Sequence, residues 1–296
     1  MTRSYHCAAP SANEIAARLR LHPAGRGWRG DCAICGYREA LALDVRDGRP
    51  LIWCASCNDR AALAALLRAA AGGALPADRP ERLPPADRAD RAARLSRAAE
   101  IWNRASPIEP SSPAGKYLEM RRIAHVASSP ALRWRSDVPH PSGGRRIALL
   151  AAITGADGDF VGIQRIFLDR DGRKADCEPT KASLGTVAAG ACRLQDCSAE
   201  LVIAEGIESA AAAGALLGKP AWAAVSAGNM ARSLALPPEI RTIVIAADHD
   251  APGLRAAEAA WRRWRAEGRE CRIVKPVAPD EDFNDLQRAK AQRGAR

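Results

Sequence analysis

The sequence predicts a multidomain chain with a small N-terminal β module, a central basic α+β region and a C-terminal α/β domain built on a parallel sheet. Two Cys-x-x-Cys pairs lie near the N-terminus, the middle is rich in arginine, and two apolar runs near the C-terminus end abruptly in carboxylates. From Asp78 to Arg146 there are 14 Lys and Arg against 8 Asp and Glu, a net charge of +6. From Ala199 to Asp250 there are 3 against 6, a net charge of −3.

Composition limits the classes of protein that the chain can represent. Its 296 residues are enough for two or three domains, and 47% of them are hydrophobic, so a sizeable core is possible. The net charge of +10 and the sequence pI of about 9.5 favour a polyanionic partner. No apolar run approaches the ~20 residues that span a bilayer, and the N-terminus lacks the apolar core of a signal peptide. We therefore expect a cytoplasmic protein with no membrane partner, in which the cysteines outside metal sites are reduced.

The N-terminal module holds two Cys-x-x-Cys pairs on either side of a predicted hairpin. The alternating segment Ala40–Val45 and the partner strand Leu51–Trp53 are joined by an Asp-Gly turn. The pairs would bring four thiolates to the corners of a tetrahedron, as in a closed structural zinc site of the ribbon type. A redox pair is the main alternative. The predicted zinc ligands are Cys32, Cys35, Cys54 and Cys57.

The module begins with a predicted amphipathic helix, Asn13–Leu21. Cys7, His6 and His22 are near in sequence and are alternative zinc ligands. Since a structural zinc has no open position, it would stabilise the module rather than catalyse. Function would lie on the surrounding face, which offers charge and stacking for single-stranded nucleic acid, unless its tryptophans only cover the zinc site. The residues of this face are Arg26, Trp28, Arg29 and Trp53.

The middle of the chain changes from helices to strands. Runs rich in Ala and Arg predict helices, and a Pro-rich segment between the first two predicts a flexible connector. The helices are Ala61–Ala71, Ala86–Arg104 and Ser111–Ile123, and the connector is Leu75–Pro85. Two β-rich segments separated by a Gly-containing turn, Ile147–Ile153 and Phe160–Asp169, then predict a β-meander.

Two apolar runs in the C-terminal region each end in carboxylates followed by a glycine. Such runs suit strands buried on both faces of a parallel sheet, and the ends of these strands face the crevice where open α/β sheets bind ligands. We therefore expect Glu205, Asp248 and Asp250 to converge. Like charges repel unless a cation lies between them, and oxygen ligands favour Mg²⁺ or Mn²⁺ over zinc.

The rest of the C-terminal domain follows an alternation of strands and helices. Strands are predicted at Leu201–Ala204, Ala221–Val225, Thr242–Ala247 and Cys271–Lys275, and helices at Ile207–Leu217 and Gly253–Gly268. The tail Lys290–Arg296 is basic and is predicted to be disordered.

The acidic strand ends carry a family resemblance. Glu205-Gly, followed after a helix-length segment and another strand by Asp248-x-Asp250-x-x-Gly, resembles the Toprim domain of primases and topoisomerases. In phage and plasmid primases with this domain, a stretch similar to Asp282-x-Asn-Asp closes the domain. The resemblance makes Asp282 a candidate extra metal ligand, or a support for one. A capped turn before the final helix is the alternative.

Two further segments resemble parts of bacterial and phage primases. The cysteine-rich module resembles their N-terminal zinc-binding domain, although their usual ligand set includes a histidine and this chain has four cysteines. Val161–Arg165 resembles the arginine-bearing strand of the primase polymerase core, and Lys181–Gly185 resembles its lysine-containing segment. By this resemblance Arg165, Lys174 and Lys181 would contact nucleotide triphosphate or template phosphate. As an alternative, they are edge-strand charges that discourage aggregation.

The resemblance implies a DNA primase, or a primase-like protein, of the phage and plasmid type, which joins ribonucleotides on a single-stranded DNA template. Asp248 and Asp250 would hold Mg²⁺, and Glu205 would be a further ligand or the base that accepts the 3′-hydroxyl proton. Because no P-loop of the form G-x-x-x-x-G-K-S/T is present, a helicase motor would be a separate protein. A Toprim-type nuclease and a non-catalytic single-stranded-DNA-binding accessory protein stay open. The predicted domains are a zinc ribbon at 1–72, a linker and helix at 73–100, the basic core at 101–196 and the Toprim domain at 197–296.

Overall fold

The computed structural model describes residues 10–25, 27–46, 48–54, 60–72, 85–197 and 199–294. The chain folds into two compact units, residues 1–84 and residues 85–296. The prediction that the chain has more than one domain is thereby confirmed. Among the helices of the described ranges, none is both long enough and apolar enough to cross a bilayer.

The first unit is a four-stranded antiparallel sheet with two helices. The helices are α1 (Ala12–Arg18) and α2 (Arg60–Ala70), and the strands lie in the order β1 (His22–Ala24), β2 (Gly27–Gly30), β3 (Leu41–Arg46) and β4 (Arg49–Cys54). Strands β3 and β4 are the predicted hairpin. The sequence analysis missed β1 and β2 because they are only three and four residues long and contain proline or glycine.

The core of the first unit follows from the period-two alternation of β3. Leu41 and Leu43 are buried on the same face of the strand and pack in one cluster with Ile15 of α1. The guanidinium of Arg18 donates a hydrogen bond of 2.6 Å to the carbonyl oxygen of Ala70, which ties α1 to the end of α2. A core of this size supplies little stability, so a metal crosslink would matter here.

The second unit begins with helices and a second antiparallel sheet. Helices α3 (Pro85–Asn103) and α4 (Pro113–Met120) and a 3-10 turn (Ala124–Val126) precede β5 (Leu132–Pro139), β6 (Arg145–Thr154), β7 (Phe160–Leu168) and β8 (Lys181–Gly185). The strands pair in chain order, so the predicted meander is confirmed and is larger than expected. The sequence analysis missed β5 because its charged sequence, LRWRSDVP, has no continuous apolar run.

Both faces of this sheet are covered, but by different parts of the second unit. One face, which includes Leu149 and Ile166, belongs to the same core as α4 and the C-terminal domain. The opposite face, which includes Leu150 and Phe167, packs against Ile101 of α3. Because successive side chains of a strand point to opposite faces, adjacent residues of β7 contact different compartments.

The C-terminal domain is built on a five-stranded sheet in the order β13-β12-β10-β11-β9. Strands β10 to β13 are parallel, as predicted, and β9 is an unpredicted antiparallel edge strand of two residues. The elements in chain order are β9 (Cys192–Arg193), β10 (Glu200–Ala204), α5 (Ile207–Leu217), β11 (Ala221–Ala223), α6 (Ala227–Arg232), β12 (Thr242–Ala246), α7 (Ala251–Ala266) and β13 (Glu270–Val274).

A final helix, α8 (Phe283–Gly294), corrects one expectation. The tail from Lys290 was predicted to be disordered, but the helix continues through it to Gly294. The helix is held at its start, where Phe283 and Asn284 are buried. The Asn284 side-chain amide donates a hydrogen bond of 2.7 Å to the carbonyl oxygen of Arg121. The polar composition of the tail concealed that the final helix extends into it.

Candidate active site

The three carboxylates of the predicted catalytic site follow two adjacent strands. Glu205 follows β10 directly, and Asp248 and Asp250 come after β12. Strands β10 and β12 pair in parallel with Ala204 opposite Ala246, so the two strands end at the same level of the sheet. The two acidic strand ends therefore lie side by side.

Asp248 lies at the centre of this acidic group. Its carboxylate accepts a hydrogen bond from the hydroxyl of Ser209, with 3.1 Å between the two oxygens. Burial raises the pKa of Asp248, and the negative charges of its acidic neighbours raise it further, to about 7. These neighbours are Glu205, Asp282 and Asp250. All three other predicted carboxylates therefore lie within electrostatic reach of Asp248.

Asp250 is the N-cap residue of α7. Its Oδ1 accepts a hydrogen bond of 2.6 Å from the backbone amide of Gly253. A Cβ atom at position 253 would lie 2.7 Å from the carbonyl oxygen of Asp248, which is too close for any residue but glycine. The glycine of the Asp-x-Asp-x-x-Gly pattern thus allows the close turn that carries both aspartates.

Asp282 takes part in a capped turn and also adjoins the acidic group. Its Oδ1 accepts a hydrogen bond of 2.8 Å from the amide of Asp285, at the start of α8. Burial raises the pKa of Asp282, and its charge in turn acts on Asp248. Backbone hydrogen bonds of 2.9 Å join His249 to Asp280 and to Glu281, which fastens this segment to the loop after β12. The turn interpretation and the site interpretation are therefore compatible.

The donor set of this group suits a hard divalent cation. All four candidate ligands are carboxylates, the class of ligand that Mg²⁺ and Mn²⁺ prefer. In the described ranges, one group of three His, Cys, Asp or Glu side chains has all its ligand atoms within 4.8 Å of one another. Its members are cysteines of the first unit. Mg²⁺ usually keeps several water ligands, so it does not require an all-protein cage of carboxylates.

His249 lies between the two aspartates in sequence and is tied to the end of β13. Its Nδ1 lies 2.8 Å from the carbonyl oxygen of Ala278, which can only accept, so Nδ1 carries the proton. Nε2 then accepts a hydrogen bond from the ammonium group of Lys275. The sequence analysis missed both residues. Together they fasten the loop after β12 to the segment after β13.

Glu208, in the first turn of α5, is a carboxylate that the sequence analysis missed. It accepts a hydrogen bond from the hydroxyl of Tyr117, and its Oε1 lies 3.6 Å from the Nζ of Lys174. Burial would raise the pKa of Glu208, but the charges of Lys174 and Lys181 and the Tyr117 hydroxyl outweigh it and lower the pKa to about 2. One sequence signal could have identified Glu208. It lies three residues after Glu205, so both carboxylates are at the start of one helix.

The three predicted phosphate-binding residues do not lie together. Lys174 and Lys181 both act on Glu208, beside the acidic group. Lys181 pairs directly with Ile166, so its side chain is on the sheet face that packs against the C-terminal domain. Arg165 is on the opposite face, because its direct partner on β6 belongs to the core under α3. The edge-strand alternative also does not apply to Arg165, because β7 is a central strand.

Gln164 is a polar residue of β7 whose side chain reaches the C-terminal domain. Its side-chain amide is buried and donates a hydrogen bond of 3.2 Å to the carbonyl oxygen of Val225. The register of β7 with β6 decides which of the two side chains, Gln164 or Arg165, faces the C-terminal domain, and the sequence alone does not specify that register.

The first unit brings three of the predicted zinc ligands together. The sulfur atoms of Cys32, Cys35 and Cys54 all lie within 4.8 Å of one another, and those of Cys35 and Cys54 are 3.7 Å apart. A tetrahedron with Zn–S bonds of ~2.3 Å has an edge of about 3.8 Å, so the spacing suits zinc. The amide of Gly36 donates a hydrogen bond of 2.7 Å to the carbonyl oxygen of Cys32, which shapes the first knuckle. The fourth predicted ligand, Cys57, is outside the described residues.

The alternative zinc ligands do not join this group in the described ranges. His22 is paired with Glu39 instead, at 3.2 Å between Nε2 and Oε2. It is not a member of the thiol cluster. Cys7 and His6 are outside the described residues.

The predicted nucleic-acid face of the first unit divides into a buried part and an exposed part. Trp28 is partly buried and packs against the core, as expected of a residue that covers the module. Trp53 is 41% exposed, and Arg29 is partly buried. Arg26 is outside the described residues. Trp53 is therefore the tryptophan of this face that is available for stacking.

Comparisons with protein families identify two regions of the chain. Residues 200–293 match the Toprim domain family. Residues 92–194 match a domain of unknown function (DUF7146). The search of curated proteins found no match. The predicted Toprim domain is therefore confirmed, and it contains all four carboxylates of the acidic group.

Several solved structures are similar to the chain. The Aquifex aeolicus primase (zinc binding and RNA polymerase domains) is 12% identical with a TM-score of 0.45, over 95% of this chain and 82% of that one. The primase fragment of the bacteriophage T7 primase-helicase protein is 16% identical with a TM-score of 0.43, over 91% and 97%. A DNA primase domain from Pseudomonas aeruginosa is 18% identical with a TM-score of 0.37, and the match covers 55% of each chain.

Proposed function

Because residues 200–293 form a Toprim domain, we propose that the chain is a DNA primase that synthesises short RNA primers on a single-stranded DNA template. The reaction is metal-dependent nucleotidyl transfer from ribonucleoside triphosphates, in the cytoplasmic replication of a phage, a plasmid or an integrated element. The observation that carries this proposal is the gathering of three carboxylates around Asp248. Lys174 and Lys181 add positive charge beside that group.

The carboxylates would hold a divalent cation beside the reacting phosphate. Asp248 and Asp250 are the proposed ligands of Mg²⁺ (or Mn²⁺), and Asp282 is a further ligand or supports one. Glu205 is either another ligand or the base that accepts the proton of the 3′-hydroxyl. When bound, the metal polarises the attacking and leaving oxygens. The hydroxyl of Ser209 orients Asp248 through the hydrogen bond to Oδ1.

The lysines would bind the triphosphate of the incoming nucleotide. Phosphoryl transfer depends mainly on positioning and charge neutralisation, so cations must stand beside the carboxylate-bound metal. Glu208 keeps the ammonium of Lys174 at this place, and Tyr117 fixes Glu208. In this proposal Arg165 does not contact the reacting triphosphate, since it lies on the other face of the sheet.

The first unit would help to choose the template site. Cys32, Cys35, Cys54 and Cys57 are the proposed zinc ligands, and zinc would stabilise the small module without catalysing. The exposed ring of Trp53 is available to stack on an unpaired base. A replicative helicase, if one takes part, would be a separate protein.

The same acidic group would also serve a Toprim-type nuclease, because hydrolysis of a phosphodiester needs similar metal ligands. Incubation with single-stranded DNA, labelled ribonucleoside triphosphates and Mg²⁺ separates these functions. The variants are Asp248→Ala and, as a matched control, Asp171→Ala, which removes an exposed carboxylate after β7. We expect the wild type and the control to make short RNA, and Asp248→Ala to make at least about a hundredfold less.

Other outcomes would reject the primase proposal. Shortened DNA without new RNA would indicate the nuclease. A gel shift with neither product would indicate an accessory protein that binds single strands without catalysis.

A further inference from the structure

A second polar site lies on one face of the sheet formed by β5 to β8, the face that α3 covers. It is a cavity of about 280 Å³, which we call the arginine pocket. Its walls include side chains from α3, β5, β6, β7 and β8, so the folded sheet is needed to assemble it. Ile101 and Leu184 contribute apolar surface. The arginines that line it are Arg97, Arg104, Arg135, Arg145 and Arg165.

Helix α3 and its last turn supply one wall of the arginine pocket through their periodicity. Arg97, Glu100, Ile101 and Arg104 all line the cavity. Their spacing of three, four and seven residues places them on one stripe of the helix, turned toward the sheet. Arg97 and Arg104, on one stripe of the helix, therefore point at the same cavity. Arginines that only made the helix surface soluble would have no need to converge.

The acidic groups around the arginine pocket do not balance its positive charge. Glu100 pairs with Arg104, at 3.2 Å between the charged groups. Asp137 pairs with both Arg135 and Arg145, and these guanidiniums lower the pKa of Asp137 to about 2. With five arginines against these two carboxylates, three positive charges remain in or around one small cavity.

Arg165 forms the buried end of the arginine pocket. It is only 6% exposed, and its guanidinium donates hydrogen bonds to the carbonyl oxygens of Pro139, Ala182 and Ser183, at 2.8 to 3.3 Å. Burial, together with the charge of Arg94, lowers the pKa of Arg165 to about 10. No carboxylate of the described residues forms an ion pair with it. Because a buried charge is costly without a counter-charge, an anion in the pocket would supply a missing partner.

We propose that the arginine pocket binds a phosphate group of a nucleotide-sized ligand, at a site separate from the acidic group. Guanidinium forks match the geometry of phosphate oxygens, and the pocket size suits one phosphorylated sugar with part of its base. The phosphate belongs either to a free nucleotide or to one residue of a single strand of DNA. Because the pocket and the acidic group are on opposite faces of the sheet, this ligand is not the nucleotide that reacts.

The proposal needs no metal, and it holds whether or not the chain synthesises primers. Binding is measured by calorimetry on the full chain in buffer without added Mg²⁺ or Mn²⁺, which excludes metal-dependent binding at the acidic group and leaves the proposed zinc in place. The probes are ATP, inorganic phosphate and an eight-residue thymidine oligonucleotide. The test variant is Arg97→Ala/Arg104→Ala. Its matched control is Arg262→Ala, because Arg262 pairs with Glu258 at 3.2 Å with the same i,i+4 spacing as Arg104 and Glu100.

We expect at least one nucleotide probe to bind without added Mg²⁺ or Mn²⁺, with an affinity that falls as salt is added. The double variant should weaken that binding at least about tenfold, because charged hydrogen bonds to phosphate are lost. Arg262→Ala should leave it unchanged. The identity of the tighter probe, ATP or oligonucleotide, assigns the source of the phosphate.

A conservative variant guards against loss of binding through misfolding. Arg97→Lys/Arg104→Lys keeps the charge but not the fork, so it should recover part of the affinity. The proposal is overturned if neither ATP nor the oligonucleotide binds without added Mg²⁺ or Mn²⁺. It is also overturned if the alanine variant and the Arg262→Ala control bind within twofold of the wild type. Loss of primer synthesis in Asp248→Ala has no bearing on either result.

Discussion

The charge of Asp248 should weaken the fold when no divalent cation is bound, and Asp248→Asn tests this expectation. The pKa of this carboxyl rises from an ordinary value of 3.8 to about 7, because burial and three acidic neighbours oppose ionisation. The difference is about 3 pKa units, and each unit corresponds to about 1.4 kcal/mol. Ionised Asp248 therefore lowers the free energy of unfolding by up to about 4 kcal/mol above pH 7.

The pH dependence follows from the direction of this shift. Because the pKa is raised in the folded state, the folded protein binds the proton more tightly, and stability falls as the pH rises from 3.8 to about 7. At pH 5 less than half of the effect has developed, whereas at pH 8 it is nearly complete. Asparagine keeps the shape of the side chain without its charge. Asp248→Asn should therefore be more stable than the wild type, by a larger margin at pH 8 than at pH 5.

The assay is urea unfolding without added Mg²⁺ or Mn²⁺ at both pH values, with Asp171→Asn as the control for loss of an exposed carboxylate. Addition of Mg²⁺ at pH 8 should stabilise the wild type and narrow its difference from Asp248→Asn, since the cation offsets the repulsion. The reasoning is refuted if Asp248→Asn is no more stable than the wild type at pH 8. A stabilisation that is the same at pH 5 and pH 8 would refute it equally.

Four other variants test the remaining contacts. Glu208→Gln should lower the free energy of unfolding by about 3 kcal/mol at pH 7, because the lysines lose their buried counter-charge. That difference should shrink as the pH falls from about 4.5 toward 2, since the folded pKa of Glu208 is about 2; a difference that persists at pH 2 would contradict the assignment. Lys181→Ala should raise the KM for ribonucleoside triphosphates about tenfold in the primer assay, whereas Lys290→Ala, on the exposed side of α8, should not. Cys54→Ser should reduce the zinc content measured by mass spectrometry and unfold the first unit; a variant with full zinc content would exclude Cys54 as a ligand. Gly253→Ala should reduce primer synthesis at least about tenfold, because its Cβ would meet the Asp248 carbonyl at 2.7 Å, and unchanged synthesis would mean that the turn adjusts.

The acidic strand ends were predictable because two independent patterns agree there. A buried apolar strand fixes where each carboxylate emerges, and parallel pairing brings Glu205 and Asp248 to the same edge. The sulfur cluster was predictable for a similar reason, since a hairpin between two Cys-x-x-Cys pairs leaves few other arrangements. In both cases local spacing and the larger fold impose the same neighbours.

The residues that the sequence analysis missed depend on contacts between distant segments. Glu208 resembles an ordinary acidic residue in the first turn of a helix, and its importance comes from Tyr117 and Lys174, which lie far away in sequence. Arg165 was predicted to contact phosphate on the basis of its charge and the resemblance, and neither indicates the direction of a strand side chain. The register of β7 against β6 settles that direction, and it involves residues on another strand.

The neighbours Gln164 and Arg165 point to opposite faces of the sheet, so the position of each residue along β7 is fixed. One residue added between Phe160 and Gln164 would rotate every following side chain to the other face. Arg165 would then take the position of Ile166 in the core shared with the C-terminal domain, and Gln164 would take the position of Arg165 among the arginines. An insertion or deletion within the strand therefore exchanges what its two faces present, whereas one in the turn at 155–159 leaves the register of the strand unchanged.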